Sequence, residues 1–322
     1  MARESKLTRW RDIGGPVGLF PTGPRNAITD VPGVRVGHAQ AAGGEATGVS
    51  VVVPPRLPLR AGVDTVNGVG ELTKKLEIDE WGIIQSAVWL CGTHAVGTVY
   101  HAAMLAAGGD PDHTVIPVVG ECDDSDMADA RTVTVADANA ALANASEQVA
   151  EGSVGAGTGM MCFDFPGGIG TASRLVDGHA VGILLLCNFG DRERLNAGGL
   201  RLEPAPPPTS AEGSCIAVCA TDAPLGAQQL RRLALRPLLG LARAGSYASN
   251  GSGEIGLAFT VAEAEGFPLE QLSPLFAAAY EAAEEAVYNC LVAARPARRR
   301  DGRMQEAFPA HLVTRHPRAA GR

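Results

Sequence analysis

The chain has few aromatic residues and no excess of positive charge. Phe, Trp and Tyr make up 5% of its 322 residues and hydrophobic residues 46%, so the core must be largely aliphatic, and 40 glycines allow its elements to pack closely. The formal net charge of −8 argues against a surface for nucleic acid or anionic membrane, because phosphate binding needs a concentrated positive face. No apolar run reaches the ~18 residues of a membrane span, and residues 1–6 are charged and resemble no signal peptide. We therefore expect a cytoplasmic protein with no nucleic-acid or membrane partner.

The cysteines suggest neither disulfides nor a metal clip. They are seven, an odd number, and most lie in apolar runs such as the one that ends at Cys187. This is typical of small buried hydrophobic residues in a reducing compartment. Cys215 and Cys219 are four apart in a strand-like run, which puts both on one face without forming a clip. We expect no metal and no organic cofactor.

Other polar and glycine-rich segments also fall short of a recognised site. Residues 86–107 fit a mostly buried helix, and its His94 and His101 lie on one face; without a third ligand nearby, partly buried hydrogen-bonded histidines are favoured over a metal pair. The acidic segment 121–126 lacks the spacing of a calcium loop, which favours a solvated loop. The glycine runs 152–159 and 167–170 lack both the P-loop ending and the full dinucleotide fingerprint, so they predict backbone turns.

A serine between two glycines lies at the junction of two strongly patterned segments. A leucine-rich segment at helical spacing covers residues 230–241, and a short apolar run of strand type covers 255–261. Ser252, flanked by Gly251 and Gly253, therefore precedes a buried strand, where the backbone turns tightly and another group can approach closely. The pattern fits an ordinary helix-to-strand turn, and it also fits a turn that positions a nucleophilic serine.

The remaining segments complete an alternating α/β pattern. Residues 180–187 predict a central strand with Asn188 at its end, where a side-chain amide is placed to donate into a cleft. Residues 204–214 read as a surface linker, and 215–220 as another strand, followed by a helix N-cap at 221–224. A capping box at 134–137 predicts a helix that continues to Val149. Residues 269–294 predict an amphipathic helix with Glu284 and Glu285, and the basic tail after it is expected to be mobile.

Several of these segments together resemble the L-aminopeptidase/D-esterase (DmpA) family, which includes β-peptidyl aminopeptidases and nylon-oligomer hydrolases. The resemblance extends from about Arg9 to Phe308. It rests on the segments 26–38, 93–97, 157–160, 167–174, 220–225 and 249–253. It implies a four-layer α/β/β/α sandwich of the DmpA and ornithine acetyltransferase type, resembling N-terminal-nucleophile hydrolases. It also implies one domain over residues 1–322 that cuts itself into chains 1–251 and 252–322.

The resemblance also implies roles for individual residues. Ser252 matches the nucleophile that is freed by cleavage after Gly251. Asn188 matches the asparagine that stabilises the oxyanion, and Glu285 matches an acid that supports the new amine. Gly253 and Phe163 match positions that bind the substrate. Phe163 replaces a tyrosine or other polar group of characterised members, and Ala283 a hydroxyl or acid, so hydrogen bonds found there in relatives are missing.

The implied chemistry follows from the properties of serine. Its hydroxyl is a poor nucleophile until a base takes its proton, and an α-amino group, with a pKa of about 7.7–8.0, is one of few bases poised near neutrality. We expect hydrolysis of small peptides, amides or esters with a free amino end, by a homo-oligomer that the resemblance makes a tetramer. Two alternatives stay open: an acyltransferase like the ornithine acetyltransferases, and an uncleaved binding protein that kept the fold.

Overall fold

A computed structural model gives the structure of the protein. It describes residues 8–15, 17–43, 46–108, 114–128, 132–197, 200, 202–203 and 213–313. The helices are α1 (Lys75–Trp81), α2 (Val96–Ala106), α3 (Val135–Ala143), α4 (Ala227–Ala244) and α5 (Leu272–Ala293). The strands are β1 (Arg35–Gln40), β2 (Gly48–Val53), β3 (Leu59–Gly68), β4 (Ile83–Ile84), β5 (Val88–Gly92), β6 (Val118–Cys122), β7 (Met161–Cys162), β8 (Phe165–Pro166), β9 (Ile169–Val176), β10 (His179–Asn188), β11 (Ser214–Thr221), β12 (Gly253–Thr260), β13 (Ala297–Arg298) and β14 (Met304–Gln305).

Two mixed sheets form the centre of the molecule. The larger has the order β4-β3-β12-β11-β10-β9 and the smaller the order β1-β2-β5-β6. Within the larger sheet, β12 pairs parallel to β11 and antiparallel to β3. The strand that follows Ser252 is therefore hydrogen-bonded on both sides, which holds its start rigidly.

Three apolar layers separate four layers of secondary structure. Leu184 and Val218 of the larger sheet share a cluster with Val52 and Leu90 of the smaller one, so the two sheets pack face to face. The other face of the larger sheet packs on α4 and α5. The outer face of the smaller sheet packs on α2 and α3. This is the predicted α/β/β/α sandwich.

Strands covered on both faces explain the unbroken apolar runs of the sequence. Every residue of β11 and β12 is buried, because one face meets the other sheet and the opposite face meets helices. The predicted strands at 180–187, 215–220 and 255–261 are confirmed to within two residues at each end, and the helices at 230–241 and 269–294 to within three.

The predicted helix over residues 86–107 is half wrong. Its first half is strand β5, and a 3-10 turn at Thr93–Ala95 separates that strand from α2. A short, fully apolar run fits a buried strand and a buried helix equally well, so periodicity does not distinguish them. His94 and His101 are both exposed rather than partly buried.

Two helix ends also differ from prediction. Thr221 still belongs to β11, where it pairs with Thr260, so α4 begins only at Ala227, and the N–H of Gly226 before it donates to Gln229 Oε1 at 2.9 Å. The Thr134–Asp137 capping box is confirmed at the start of α3, with Thr134 Oγ1 accepting from the Asp137 N–H at 3.3 Å. However, α3 ends at Ala143, and Ser146 instead bridges to Val36.

The basic tail, expected to be mobile, is described as far as Val313 and contains two short strands. β13 and β14 form a short hairpin, and Arg299 Nη2 within it lies 2.7 Å from Asp126 Oδ2. The predicted linker over residues 204–214 lies outside the described residues except for Gly213 and Ser214. Within the described residues, no helix has the length and apolarity to cross a bilayer.

Candidate active site

A tight turn connects the end of α4 to the residue that precedes β12. The Ser252 N–H donates to Ser249 O at 2.9 Å, so Asn250 and Gly251 occupy its centre. Asn67 Nδ2, from the end of β3, donates to the carbonyls of Ala248 at 3.0 Å and Ser249 at 2.7 Å. The turn is therefore held by its own backbone and by the neighbouring strand.

Ser252 lies at the floor of an open cleft. The cleft encloses about 820 Å³ including its mouth. Ser252 is 2% exposed and Asn188 is 8% exposed, and both line this cleft. The other residues that line the cleft are Asp123, Ser125, Asp126, Gly159, Met161, Asp164, Phe189, Gly190, Asp191, Gly213, Ser246, Tyr247, Ala248, Ser249 and Arg299. The structure thus brings together the predicted nucleophile and the predicted oxyanion donor.

Asn188 is held in a fixed orientation at the end of β10. Its Oδ1 accepts from the Met161 N–H at 2.9 Å, and its Nδ2 donates to Asp123 O at 2.9 Å. An amide nitrogen carries two hydrogens, so one N–H remains to donate into the cleft.

The cleft has an acidic lining. Four aspartates and one arginine contribute to its wall. Burial raises the pKa of Asp164, and the nearby charges of Asp191 and Glu193 act in the same direction. Arg299 Nη2 lies 2.7 Å from Asp126 Oδ2 and Arg194 Nε lies 3.3 Å from Asp191 Oδ2, so the excess negative charge of the lining comes from Asp123 and Asp164.

The acidic segment 121–126, expected as a solvated loop, is only partly solvated: Glu121, Cys122 and Asp124 are buried, and Asp123 is exposed. Glu121 lies in β6 and accepts from the Glu71 N–H at 2.8 Å. Asp124 is fully buried, and this burial raises its pKa to about 6 although Thr47 Oγ1 donates to it at 2.5 Å. These partners, Glu71 and Thr47, lie 50 and 77 positions away in sequence, so the segment by itself does not reveal its burial.

Glu254 is the functional candidate that sequence reasoning missed. The Ser252 hydroxyl donates to Glu254 Oε1 in a short hydrogen bond. Glu254 is 2% exposed, and burial raises its pKa while the bond from Ser252 opposes that shift. The sequence does contain a pattern that indicates this contact. Side chains two apart in a strand point to the same face, and Ser252 directly precedes a strand that contains Glu254.

Glu285, expected to support the amine of Ser252, does not line the cleft. Its carboxylate is fully buried and accepts from Arg11 Nε and Nη2 at 2.7 Å each, from Asn26 Nδ2 at 2.6 Å and from Arg174 Nη2 at 2.8 Å. Burial opposes its ionisation, yet the hydrogen bonds and charges of Arg11 and Arg174 hold its pKa below the usual value. In this structure Glu285 joins the N-terminal segment to α5 and β9.

The two predicted substrate-binding residues also lie behind the cleft wall. Phe163 is fully buried, its ring packs edge-on against Phe189 at 5.4 Å between centroids, and its N–H donates to Phe189 O at 2.8 Å. Gly253 starts β12, and its N–H donates to Gly213 O at 3.1 Å. Neither residue faces the cleft. The Phe163 side chain packs in the core, and the Gly253 backbone is hydrogen-bonded within the sheet.

One group of possible metal ligands occurs among the described residues. The sulfurs of Cys162, Cys187 and Cys290 lie within 4.8 Å of one another. All three are fully buried, and burial raises their thiol pKa values. A metal needs thiolates, so this apolar environment does not fit a metal centre.

Comparison with known proteins identifies the family. The profile of Peptidase family S58 matches residues 26–305, which is most of the chain and includes the turn, Ser252 and the cleft. The chain belongs to Peptidase family S58. It is therefore a peptidase.

Relatives of this S58 peptidase agree with that assignment. It is 38% identical to the β-peptidyl aminopeptidase BapA of Sphingosinicella microcystinivorans, over 91% of this chain and 87% of that protein. Its structure matches a Burkholderia sp. β-aminopeptidase with a TM-score of 0.87 and 37% identity, over 95% of this chain and 97% of that one. It also matches the L-aminopeptidase D-Ala-esterase/amidase of Ochrobactrum anthropi, a variant of the Ntn hydrolase fold, with a TM-score of 0.85, 33% identity and coverage of 94% and 96%.

Proposed function

We propose that this S58 peptidase is a self-cleaving serine aminopeptidase or amidase that releases N-terminal residues from small peptides, amino-acid amides or esters. The observation that carries the proposal is the placement of Ser252. It lies on the floor of an acidic cleft, immediately after a tight turn and before a central strand. Cleavage before Ser252 converts its nitrogen into the base that its own hydroxyl needs.

The cleft supports the first half of the reaction. We expect the second N–H of Asn188 Nδ2 to donate a hydrogen bond to the oxyanion that forms when Ser252 Oγ attacks a carbonyl, since both residues line the cleft. One such donor contributes about 3–4 kcal/mol in comparable enzymes. The deacylating nucleophile is water, which enters through the open mouth of the cleft.

The acidic lining supports the choice of substrate. A peptide with a free amino end carries a positive charge near the bond to be broken, and the aspartates of the wall attract that charge. The names of the relatives agree, since each describes an aminopeptidase or aminopeptidase-esterase. The resemblance to the DmpA family further supports a tetramer, which light scattering of the purified protein tests.

The processing step is tested by the mass of the purified protein. We expect two fragments, 1–251 and 252–322, with Ser252 as the new amino terminus, and labelling of the smaller fragment by a serine-reactive phosphonate. Ser252→Ala should stay intact and unlabelled. An active wild-type chain whose end-group sequencing returns only the original amino terminus contradicts the mechanism.

The neighbouring Ser249, which also lines the cleft, provides the internal comparison. Loss of cleavage in Ser249→Ala, together with normal cleavage in Ser252→Ala, would transfer the nucleophile to Ser249. Transfer of an aminoacyl ester to hydroxylamine in preference to water would instead favour the acyltransferase alternative.

A further inference from the structure

The self-cleavage step lacks the base that the mature enzyme uses. Before cleavage the Ser252 nitrogen is part of a peptide bond and donates its hydrogen to Ser249 O at 2.9 Å. An amide nitrogen has no lone pair available to accept a proton. Another group must therefore take the proton of the Ser252 hydroxyl when it attacks the carbonyl carbon of Gly251.

The partner of the Ser252 hydroxyl in this uncleaved chain is a carboxylate. Ser252 Oγ donates to Glu254 Oε1. Both residues are 2% exposed, so bulk water has little access to the hydroxyl. Burial of Glu254 disfavours its charged form and raises its pKa, which makes its carboxylate a stronger base than an exposed one.

The sheet holds Glu254 in this position. Its strand β12 is paired on both sides, with Cys215 opposite it on β11 and Asn67 opposite it on β3. The register with β3 shifts between Glu254 and Ile255, a bulge of the kind that re-aims side chains beside active sites. Asn67, on the same bulge, holds the turn that contains the bond to be cut.

The second carboxylate oxygen of Glu254 has an unusual environment. Among the described residues, Glu254 Oε2 is buried without a hydrogen-bond partner. An ionisable oxygen left in this state is costly, and buried unsatisfied polar atoms are rare in proteins. A role in the chemistry of Ser252 accounts for its retention.

We propose that Glu254 is the general base and acid of self-cleavage, a catalytic residue distinct from the amine that serves the mature enzyme. The inference rests on the proposed function. Glu254 takes the proton of Ser252 Oγ as the oxygen bonds to the Gly251 carbonyl carbon through a five-membered ring. It returns that proton to the Ser252 nitrogen as the carbon–nitrogen bond breaks. Water then hydrolyses the resulting ester, which leaves a carboxylate on Gly251 and restores the hydroxyl and free amine of Ser252.

Glu254→Gln tests this assignment, because the amide keeps the size and the hydrogen bond of the carboxylate and loses its basicity. In pulse-labelled full-length protein, we expect self-cleavage to slow by about 10²–10⁴-fold, the range for general acid-base groups. Turnover per cleaved chain, counted by titration with a serine-reactive phosphonate, should fall less than tenfold because the amine is then the base. This split separates a catalytic role from a structural one, which would lower both rates together.

A conservative variant and a control complete the experiment. Glu254→Asp withdraws the carboxylate by one methylene and should cleave more slowly than wild type but faster than Glu254→Gln. It also serves as the test if the glutamine variant does not fold. Glu263→Gln, an exposed acid beyond the other end of β12, should cleave as wild type does.

The outcomes are distinguishable. Cleavage of Glu254→Gln or of a folded Glu254→Asp at the wild-type rate overturns the inference and leaves the proposed function intact. Equal losses of cleavage and turnover in Glu254→Gln also overturn it. A wild-type chain that never cleaves overturns the proposed function itself.

Discussion

At the scale of single residues, Asn188 shows how one amide serves both structure and chemistry. Its Oδ1 and one Nδ2 hydrogen bind the backbone of Met161 and Asp123, which fixes the amide against the cleft. We expect Asn188→Ala to lower kcat by about 10²–10³-fold, as removal of one oxyanion donor does elsewhere. KM should change much less, since the oxyanion exists only in the transition state. Steady-state hydrolysis of an amino-acid p-nitroanilide measures both.

Asn144 offers a control for the loss of an amide as such. It is exposed and donates to His38 O at 3.0 Å, away from the cleft. Asn144→Ala should leave both constants within twofold of wild type. An increase in KM with unchanged kcat in Asn188→Ala would mean that Asn188 binds the ground state of the substrate and does not stabilise the oxyanion.

At the scale of elements, the closeness of sheet and helix depends on glycine. A Cβ built on Gly170 of β9 would lie 1.9 Å from Ala286 O of α5, so Gly170→Ala must push the strand and the helix apart. Overpacking of this kind costs about 1–3 kcal/mol. Equilibrium unfolding in urea should show a lower midpoint with an unchanged slope.

A glycine with open surroundings gives the matched comparison. Gly97 in α2 is exposed, and a Cβ there meets nothing within 4 Å. Gly97→Ala should therefore raise the free energy of unfolding by about 0.5–1 kcal/mol, since alanine favours the helix. Equal effects of the two substitutions on the free energy of unfolding would show that the close approach of β9 to α5 does not require a glycine at position 170.

At the scale of the whole molecule, a buried charge network connects segments far apart in the chain. Glu285 on α5 bonds Arg11 and Asn26 of the N-terminal segment and Arg174 of β9. We expect Glu285→Gln to lower the free energy of unfolding at neutral pH by about 3–5 kcal/mol, because it leaves the buried Arg174 without this carboxylate. Urea unfolding at several pH values measures the difference.

The pH dependence of that difference has a definite sign. The folded-state pKa of Glu285 is lowered, so its contribution is complete above the unfolded value of about 4.3 and is lost as pH falls through the folded pKa. The gap between wild type and Glu285→Gln should therefore shrink below about pH 4. Glu270→Gln, an exposed acid before α5, should show no such gap at any pH. A gap for Glu285→Gln that is constant from pH 3 to pH 7 would contradict the assignment.

The sequence by itself determined the elements whose burial repeats along the chain. β10, β11 and β12 read as apolar runs because both of their faces are covered, and α4 and α5 kept a helical period. The predictions for Ser252 and Asn188 rest on their positions at the ends of such strands. The strand β5 was not predicted, because its short apolar run has no periodicity that distinguishes a strand from a helix.

Only the tertiary structure decided which side chains meet. The pairing of β3 with β12 and the contact of Arg174 on β9 with Glu285 on α5 link residues that are more than a hundred positions apart, and no local pattern encodes those neighbours. For this reason Glu285, expected beside the amine, is held by Arg11 and Arg174, whereas Asp123 and Arg299 reach the cleft. The residues of a strand themselves indicate whether it is buried, because a buried face needs apolar side chains. The partners of a buried charge depend instead on how the sheets and helices pack together.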